Sequence, residues 1–256
     1  MSRPNYPPLM WVDSHCHLQL TDQKPSVLLK RAPEVDWLVV PGIDAVSSRA
    51  ALTLAGQYPA RVVAAVGLHP HEADRWESER SSLVALAETA GAVGEIGLDF
   101  YRNLSPRDEQ LKAFADQLHL AEDLDKPAIV HCRDAFSETH EIIESTGVGQ
   151  RVVMHCWTGG SRWTRRFLEL GVMISFAGPL AFETGETIRG AAAVVPPERA
   201  MVETDTPYLS PPPFRGEPNE PSRVALVGAA LAGVWETAEE EVARVTSENA
   251  RRMFRP

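Results

Sequence analysis

Eight short apolar runs alternate along this chain with stretches patterned as helices. The runs are Trp11–Asp13, Trp37–Val40, Val62–Val66, Val93–Ile96, Ala128–His131, Val152–His155, Val172–Ser175 and Met201–Thr204. They are apolar nearly throughout and rich in β-branched residues, which suits parallel strands buried on both faces. Helical patterns occupy Ala45–Tyr58, Ser81–Thr89, Asp134–Ser145, Ser161–Leu170, Glu186–Val194, Pro221–Val234 and Ala238–Met253. Another runs to Leu124 and opens at Ser105 and Pro106, read as N-cap and first helical residue. Such alternation folds as a (β/α)8 barrel or as an open doubly wound sheet.

Polar residues decide between the two. Six of the eight runs end in, or lead straight into, a His, Glu or Asp: His15 and His17, His69, Glu95, His131, His155 and Asp205. A barrel brings the carboxyl ends of all its strands to one rim, where these groups meet; an open sheet spreads them along an edge. The expectation is therefore one α/β domain over residues 1–256, a (β/α)8 TIM barrel with its site at the strand carboxyl ends. The length of 256 residues is ordinary for that fold.

The net charge of -10 argues against a protein that coats nucleic acid through a basic face. It leaves a nuclease open, because bound cations supply positive charge locally. No basic-then-apolar leader pattern and no apolar run of about 20 residues is present, so no membrane partner is expected. Three cysteines at irregular spacing make no disulfide framework and fit a reducing cytoplasm. A barrel of this size buries its own core, and a monomer is expected.

His15 and His17 are two apart, and on an extended chain both face one ion, with Asp13 on the same side to orient a ligand. Glu95 lies among apolar neighbours in Gly94–Asp99. A buried carboxylate needs a cation or hydrogen bonds, so Glu95 reads as a bridging metal ligand or as a salt-bridged structural acid. His131 and His155 end consecutive strands and read as sharing a metal, or singly as core histidines. Imidazole suits Zn, Fe or Mn, and carboxylates also admit Mg or Mn. Asp205, in Glu203–Pro207, is the candidate to hold and deprotonate an attacking water, or a turn residue before Pro207; Glu203 is a candidate supporting acid. His69 and His71 in Gly67–His71 are candidates to contact a substrate phosphate or donate a hydrogen bond to it, or are incidental residues of a turn. Arg133 either grips a phosphate or pairs with Asp134 or Glu138. The cysteines read as small buried fillers, and His119 and His140 as surface or core. The proline-rich stretch Pro207–Pro221 either walls the site or is a stiff connector.

Six segments together resemble the TatD family of metal-dependent deoxyribonucleases: Asp13–Leu18, Gly67–His71, Gly94–Asp99, His131–Ala135, His155–Gly159 and Glu203–Pro207. The resemblance covers about residues 11 to 253. It implies a (β/α)8 barrel and two divalent metal ions (Zn, Mg or Mn). His15, His17, Glu95 and Asp205 would hold one, and Glu95, His131 and His155 the other. It also implies a DNA substrate cut by a metal-activated water; a narrow barrel mouth would admit a single strand or chain end better than a rigid duplex, so 3′ to 5′ exonuclease action is the expected mode. Gln19, Ser137 and the pair Trp157–Thr158 depart from the family's usual residues and bear on substrate preference. Two other functions fit the residues less well. One is an amidohydrolase-type enzyme acting on a small amide, lactone or ester. The other is a non-catalytic metal-binding scaffold, although a structural zinc site is usually closed by four ligands and six candidates for two ions leave room for water.

Overall fold

A computed structural model describes residues 9–254. Its strands are β1 (Trp11–Asp13), β2 (Val35–Pro41), β3 (Val62–Val66), β4 (Ala92–Asp99), β5 (Ala128–Arg133), β6 (Val152–Met154), β7 (Met173–Phe176) and β8 (Ala200–Val202). They pair in parallel in sequence order from β1 to β8. The seam between β8 and β1 is carried just past the strand ends. There Ser14 N–H donates to Val202 O (3.1 Å), Asp205 N–H to His15 O (2.9 Å) and His17 N–H to Thr206 O (2.8 Å). The result is a nearly closed single-domain (β/α)8 barrel, as the alternation led us to expect.

The helices are α1 (Pro25–Arg31), α2 (Ala45–Gln57), α3 (Trp76–Ala87), α4 (Arg107–Asp123), α5 (Phe136–Thr146), α6 (Ser161–Glu169), α7 (Glu186–Ala192), α8 (Val224–Trp235) and α9 (Glu239–Phe254). One follows each strand, and α9 is additional. Local chemistry sets their ends. Asp44 caps α2 by accepting from Ser47 N–H (2.7 Å), while Asp44 N–H donates to Ser47 Oγ (3.0 Å). Gly147 stops α5 in the left-handed conformation (φ 71°).

Alternation along the strands divides the apolar side chains into two layers. One layer lies between strands and helices and includes Trp11, Leu38, Val66, Ile96, Val130 and Met154. The other fills the barrel interior with Val12, Val39, Ala65, Ala92, Ile129, Val153, Met173 and Met201. Ala250 and Phe254 of α9 join this interior layer, with the Phe254 ring edge-on to Trp37 at 6.4 Å. The amino end of the barrel is thus plugged with hydrocarbon, and the carboxyl end is left for polar groups.

Several local expectations need correction. The short helix α1 was not foreseen. β2 begins at Val35, two residues early, and helix α3 begins at Trp76 instead of Ser81. The run around Trp76 looks polar, but Trp76 is buried and its Nε1–H donates to Asp116 (2.7 Å). Ser105 does not cap α4: its hydroxyl donates to His71 O (2.8 Å), and the helix starts at Arg107 with Asp108 and Glu109 beside its free N–H groups. No helix among the described residues is long and apolar enough to cross a membrane.

Candidate metal centre

Above the apolar interior layer, the same alternation lifts polar side chains onto the inner rim. His131 lies two residues beyond Ile129, His155 two beyond Val153, and Glu203 two beyond Met201. β4 needs a further device. Ala92 faces the interior, so strict alternation would turn Glu95 outward. A register irregularity between Val93 and Ile96 resets the strand, so that Ile96 and Leu98 pack outward and Glu95 faces in. Re-aiming a side chain beside a site is a common use of such bulges. At β1, Ser14 Oγ meets Ser175 Oγ inside the barrel (2.8 Å), after which the chain leaves regular strand geometry and sends both His15 and His17 inward.

Glu95 stands at the centre of what results. Its Oε2 is 3.4 Å from His15 Nε2 and 3.3 Å from His17 Nε2. Its Oε1 is 3.0 Å from His131 Nδ1 and 2.9 Å from His155 Nε2. Asp205 Oδ1 lies 3.8 Å from both His15 Nε2 and His17 Nε2. All six sequence candidates for metal ligation are therefore brought together around one carboxylate, His15 and His17 at one oxygen and His131 and His155 at the other, with His15, His155 and Asp205 also close enough to ligate together.

Hydrogen bonds fix which imidazole nitrogens face inward. His17 Nδ1 is 3.1 Å from Pro41 O, and His155 Nδ1 is 3.1 Å from Glu203 Oε1. Carbonyls and carboxylates accept, so these Nδ1 atoms carry protons, and a cation that displaced the proton shared between each Nε2 and Glu95 would meet an Nε2 lone pair. His131 likewise turns Nε2 to Asp99 Oδ2 (3.3 Å) and its Nδ1 inward. The inward nitrogens converge: His15 Nε2 is 3.0 Å from His17 Nε2, and His131 Nδ1 is 3.1 Å from His155 Nε2, while the buried Nδ1 of His15 has no hydrogen-bond partner. Acceptors packed this closely repel one another unless a cation or proton lies between them. This donor set fits divalent metal ions.

Electrostatics agree. Burial alone would raise Glu95, but His155, His69 and the other imidazoles hold it well below the usual carboxylate range. Burial would lower His155, yet the Glu95 and Glu203 carboxylates hold it well above the ordinary value. His131, against Asp99 and Glu95, and His17, against Glu95 and Asp205, are also raised despite burial. Burial pushes Asp205 up to about 7.

His69 Nε2 lies 3.3 Å from Glu95 Oε1, and with Glu95 and His131 it forms a group close enough to ligate. Its Nδ1, however, accepts from His71 N–H (3.1 Å), which leaves the proton on Nε2. Burial lowers it to about 4. His69 is thus a neutral donor aimed at the centre. Arg133 makes no ion pair with Asp134 or Glu138; its guanidinium lies over the Tyr101 ring at 4.0 Å. Asp13 does not share the face of the histidine side chains. Because the chain twists at Ser14, its carboxylate accepts from Thr204 N–H (2.9 Å), Thr204 Oγ1–H (2.6 Å) and, more weakly, His15 N–H (3.3 Å), and so ties β1 to β8. Cys16 and Cys132 are buried in the outer layer, and Cys156 is half-buried. His119 is exposed, and His140 packs edge-on to Phe167.

Sequence reasoning gave no role to Asp99 and gave His71 only a substrate contact, yet Asp99 Oδ2 accepts from His71 Nε2 (2.8 Å) as well as meeting His131. The spacing Glu95, Gly97, Asp99 was the available signal, since residues two apart share a face. A cavity of about 710 Å³ opens at the other end of the barrel, among Lys126, Arg199 and Arg252. Barrel enzymes carry their chemistry at the carboxyl ends, so the rim of histidines and acids identifies the site better than cavity size does.

The fold and this rim define a metal-dependent hydrolase barrel. Residues 12–255 match the family described as TatD related DNase, and the chain belongs to that family. It is 35% identical to the uncharacterized metal-dependent hydrolase YabD of Bacillus subtilis, over 96% of this chain and 99% of that one. It is 34% identical to the 3'-5' ssDNA/RNA exonuclease TatD of Pectobacterium parmentieri, over 91% of this chain and 94% of that one. Among solved structures it resembles the TatD homolog YJJV of Escherichia coli K12, with a TM-score of 0.87, 27% identity and coverage of 96% and 98%.

Proposed function

We propose that this protein hydrolyses phosphodiester bonds of DNA, trimming single strands or chain ends from the 3′ end, with two divalent cations held across Glu95. The observation that carries the reading is the division of Glu95: one oxygen faces His15 and His17, the other His131 and His155. His15, His17 and Asp205 would hold one ion and His131 and His155 the other, with Glu95 shared. When bound, such ions lower the pKa of water towards ~7 and polarise a phosphoryl oxygen.

The chain's own residues supply the rest. Asp205 holds the attacking water and takes its proton. His69, fixed as an Nε2–H donor, hydrogen-bonds a phosphoryl oxygen as charge develops there. Arg133, free of carboxylate partners among the described residues, grips a neighbouring phosphate. Glu203 and Asp99 hold His155 and His131 in the orientation that keeps their lone pairs inward. The similarity to a chain named as a 3'-5' ssDNA/RNA exonuclease supports the choice of substrate, and a narrow barrel mouth accepts a chain end more readily than a duplex. The protein would act as a monomer.

The test is cleavage of 5′-labelled single-stranded DNA with Mg, Mn or Zn, with Asp205→Asn as control. Metal-dependent shortening from the 3′ end, lost in the variant, is expected. A metal-loaded protein that hydrolyses small amides, lactones or esters and leaves DNA intact would replace this reading with an amidohydrolase one. Equal cutting of closed circular and linear strands would remove the exonuclease mode.

A further inference from the structure

The proline-rich segment after β8 is more than a connector. Residues 207–220 are stitched from within: Asn219, itself buried, donates from Nδ2 to Thr204 O and to Tyr208 O, both at 2.8 Å. Ser210 Oγ donates to Glu217 O (2.7 Å), and Arg223 donates to Pro218 O (2.8 Å) and Ser210 Oγ (3.0 Å). With residues 20–23 after β1, this rigid segment encloses a cavity of about 620 Å³, within the ~300–1,000 Å³ of small-ligand sites.

Tyr208 stands in the cavity wall nearest the metal centre. Its ring centroid is 6.4 Å from that of His17, and the side chain is 54% exposed. An aromatic residue whose backbone is held by a buried asparagine, and whose ring is left open to solvent beside a hydrolytic centre, is a platform for a flat ligand. The wall also carries Asp22, Glu217 and Arg215. Glu217 is paired with Arg223 (3.3 Å), and Arg215 lies over Phe182 at 3.7 Å. With Glu217 held by Arg223 and Arg215 laid over Phe182, the wall has no surplus of positive charge to draw a phosphate, and it suits an uncharged ring. Across Glu95, on the His131 side, Tyr101 is 63% exposed beneath the Arg133 guanidinium. That side carries the cation for the backbone, and the Tyr208 side carries the surface for a base.

We infer that the cavity between residues 20–23 and 207–219 is a subsite for one unpaired nucleobase, which stacks on Tyr208 while the phosphate of its nucleotide lies at the Glu95 centre. This rests on the nuclease reading above. An aromatic platform accepts any base, because every base has a π face. A base within a duplex is already stacked on both faces and cannot enter, so the subsite selects single strands and frayed ends.

The experiment is a coupling cycle on binding, using Asp205→Asn protein loaded with Mn to block turnover. Anisotropy of a 5′-fluorescein single strand gives the affinity, and a series of strands each lacks the base at one position near the 3′ end. Tyr208→Ala should weaken the intact strand roughly 5- to 150-fold, the range for losing one stacked base. Removing the base at one position should cost about as much, and the two changes together should cost no more than either. Tyr208→Phe should keep both affinity and coupling, because the ring carries the interaction. Unchanged binding by Tyr208→Ala, or losses that simply add, would overturn the subsite while leaving the nuclease intact. Failure of every strand to bind, with bis(p-nitrophenyl) phosphate still hydrolysed by the unmodified protein, would overturn the nucleic-acid reading and the subsite with it.

Discussion

Glu203 touches no proposed metal position, yet its loss should be felt there. Its Oε1 accepts from His155 Nδ1 at 3.1 Å and from Cys156 N–H at 2.9 Å, so one carboxylate sets both the tautomer of His155 and the backbone that carries it. Removing the outer partner of a metal-binding histidine typically costs 10–100-fold in affinity, or about 1.4–2.7 kcal/mol. Glu203→Ala loses both hydrogen bonds and the charge, and should fall near 100-fold. Glu203→Gln keeps an accepting oxygen and loses only the charge. A hydrogen bond to a charged group exceeds a neutral one by roughly 1 kcal/mol, so a loss nearer fivefold is expected. The assay is competition for Zn against a chromophoric chelator, resolving the tighter and weaker ions, with circular dichroism to confirm folding. The effect should fall on the ion on the His131–His155 side. Unchanged affinity in both folded variants would refute the argument that Glu203 acts through His155, and equal weakening of both ions would refute the division into halves.

Other outcomes follow from the same geometry. His155, His131 and His17 bind protons more readily than free imidazole because carboxylates face them. Those protons must leave when metal binds, so affinity is full only above these raised values, is already falling when the pH reaches the ordinary imidazole value of about 6.5, and should drop by about tenfold or more per unit below that, with protons released on binding, read by calorimetry in buffers of different ionisation enthalpy. A Cβ at Gly228 of α8 would overlap the Trp11 ring. Gly228→Ala should therefore destabilise by about 1–3 kcal/mol and lower the melting temperature by about 2–12 °C; an unchanged melt would contradict that packing. Asn219→Ala strands the Thr204 and Tyr208 carbonyls, costs about 1–3 kcal/mol, and should raise KM for oligonucleotide more than it lowers kcat, as steady-state kinetics would show.

Much of this was legible before the structure because barrel geometry is periodic. The apolar runs and their spacing are the strands, and the residues that end them share a rim by topology alone. His131, His155 and Asp205 were found this way, and so was Glu203 as a supporting acid. What escaped depends on breaks in periodicity. The irregularity in β4 that turns Glu95 inward is marked in the sequence only by Gly94 and Gly97, which adopt positive φ (155° and 132°) on either side of that residue. The departure at Ser14 sends Asp13 to Thr204, away from the histidine side chains. The tautomer of His69 depends on one backbone N–H two residues on. The wall formed by residues 207–220 depends on hydrogen bonds from Asn219, which reads in sequence as an ordinary loop residue. Asp99 was within reach of the two-residue spacing from Glu95.

The central claim is that one carboxylate is shared between two cations. Anomalous diffraction at the Mn or Zn edge, from crystals soaked in that metal, tests it directly. The account predicts two peaks, one between Glu95, His15, His17 and Asp205, the other between Glu95, His131 and His155, and the loss of both or of their common bridge in Glu95→Ala. A single peak, or two peaks that persist in place when Glu95 is removed, would contradict it.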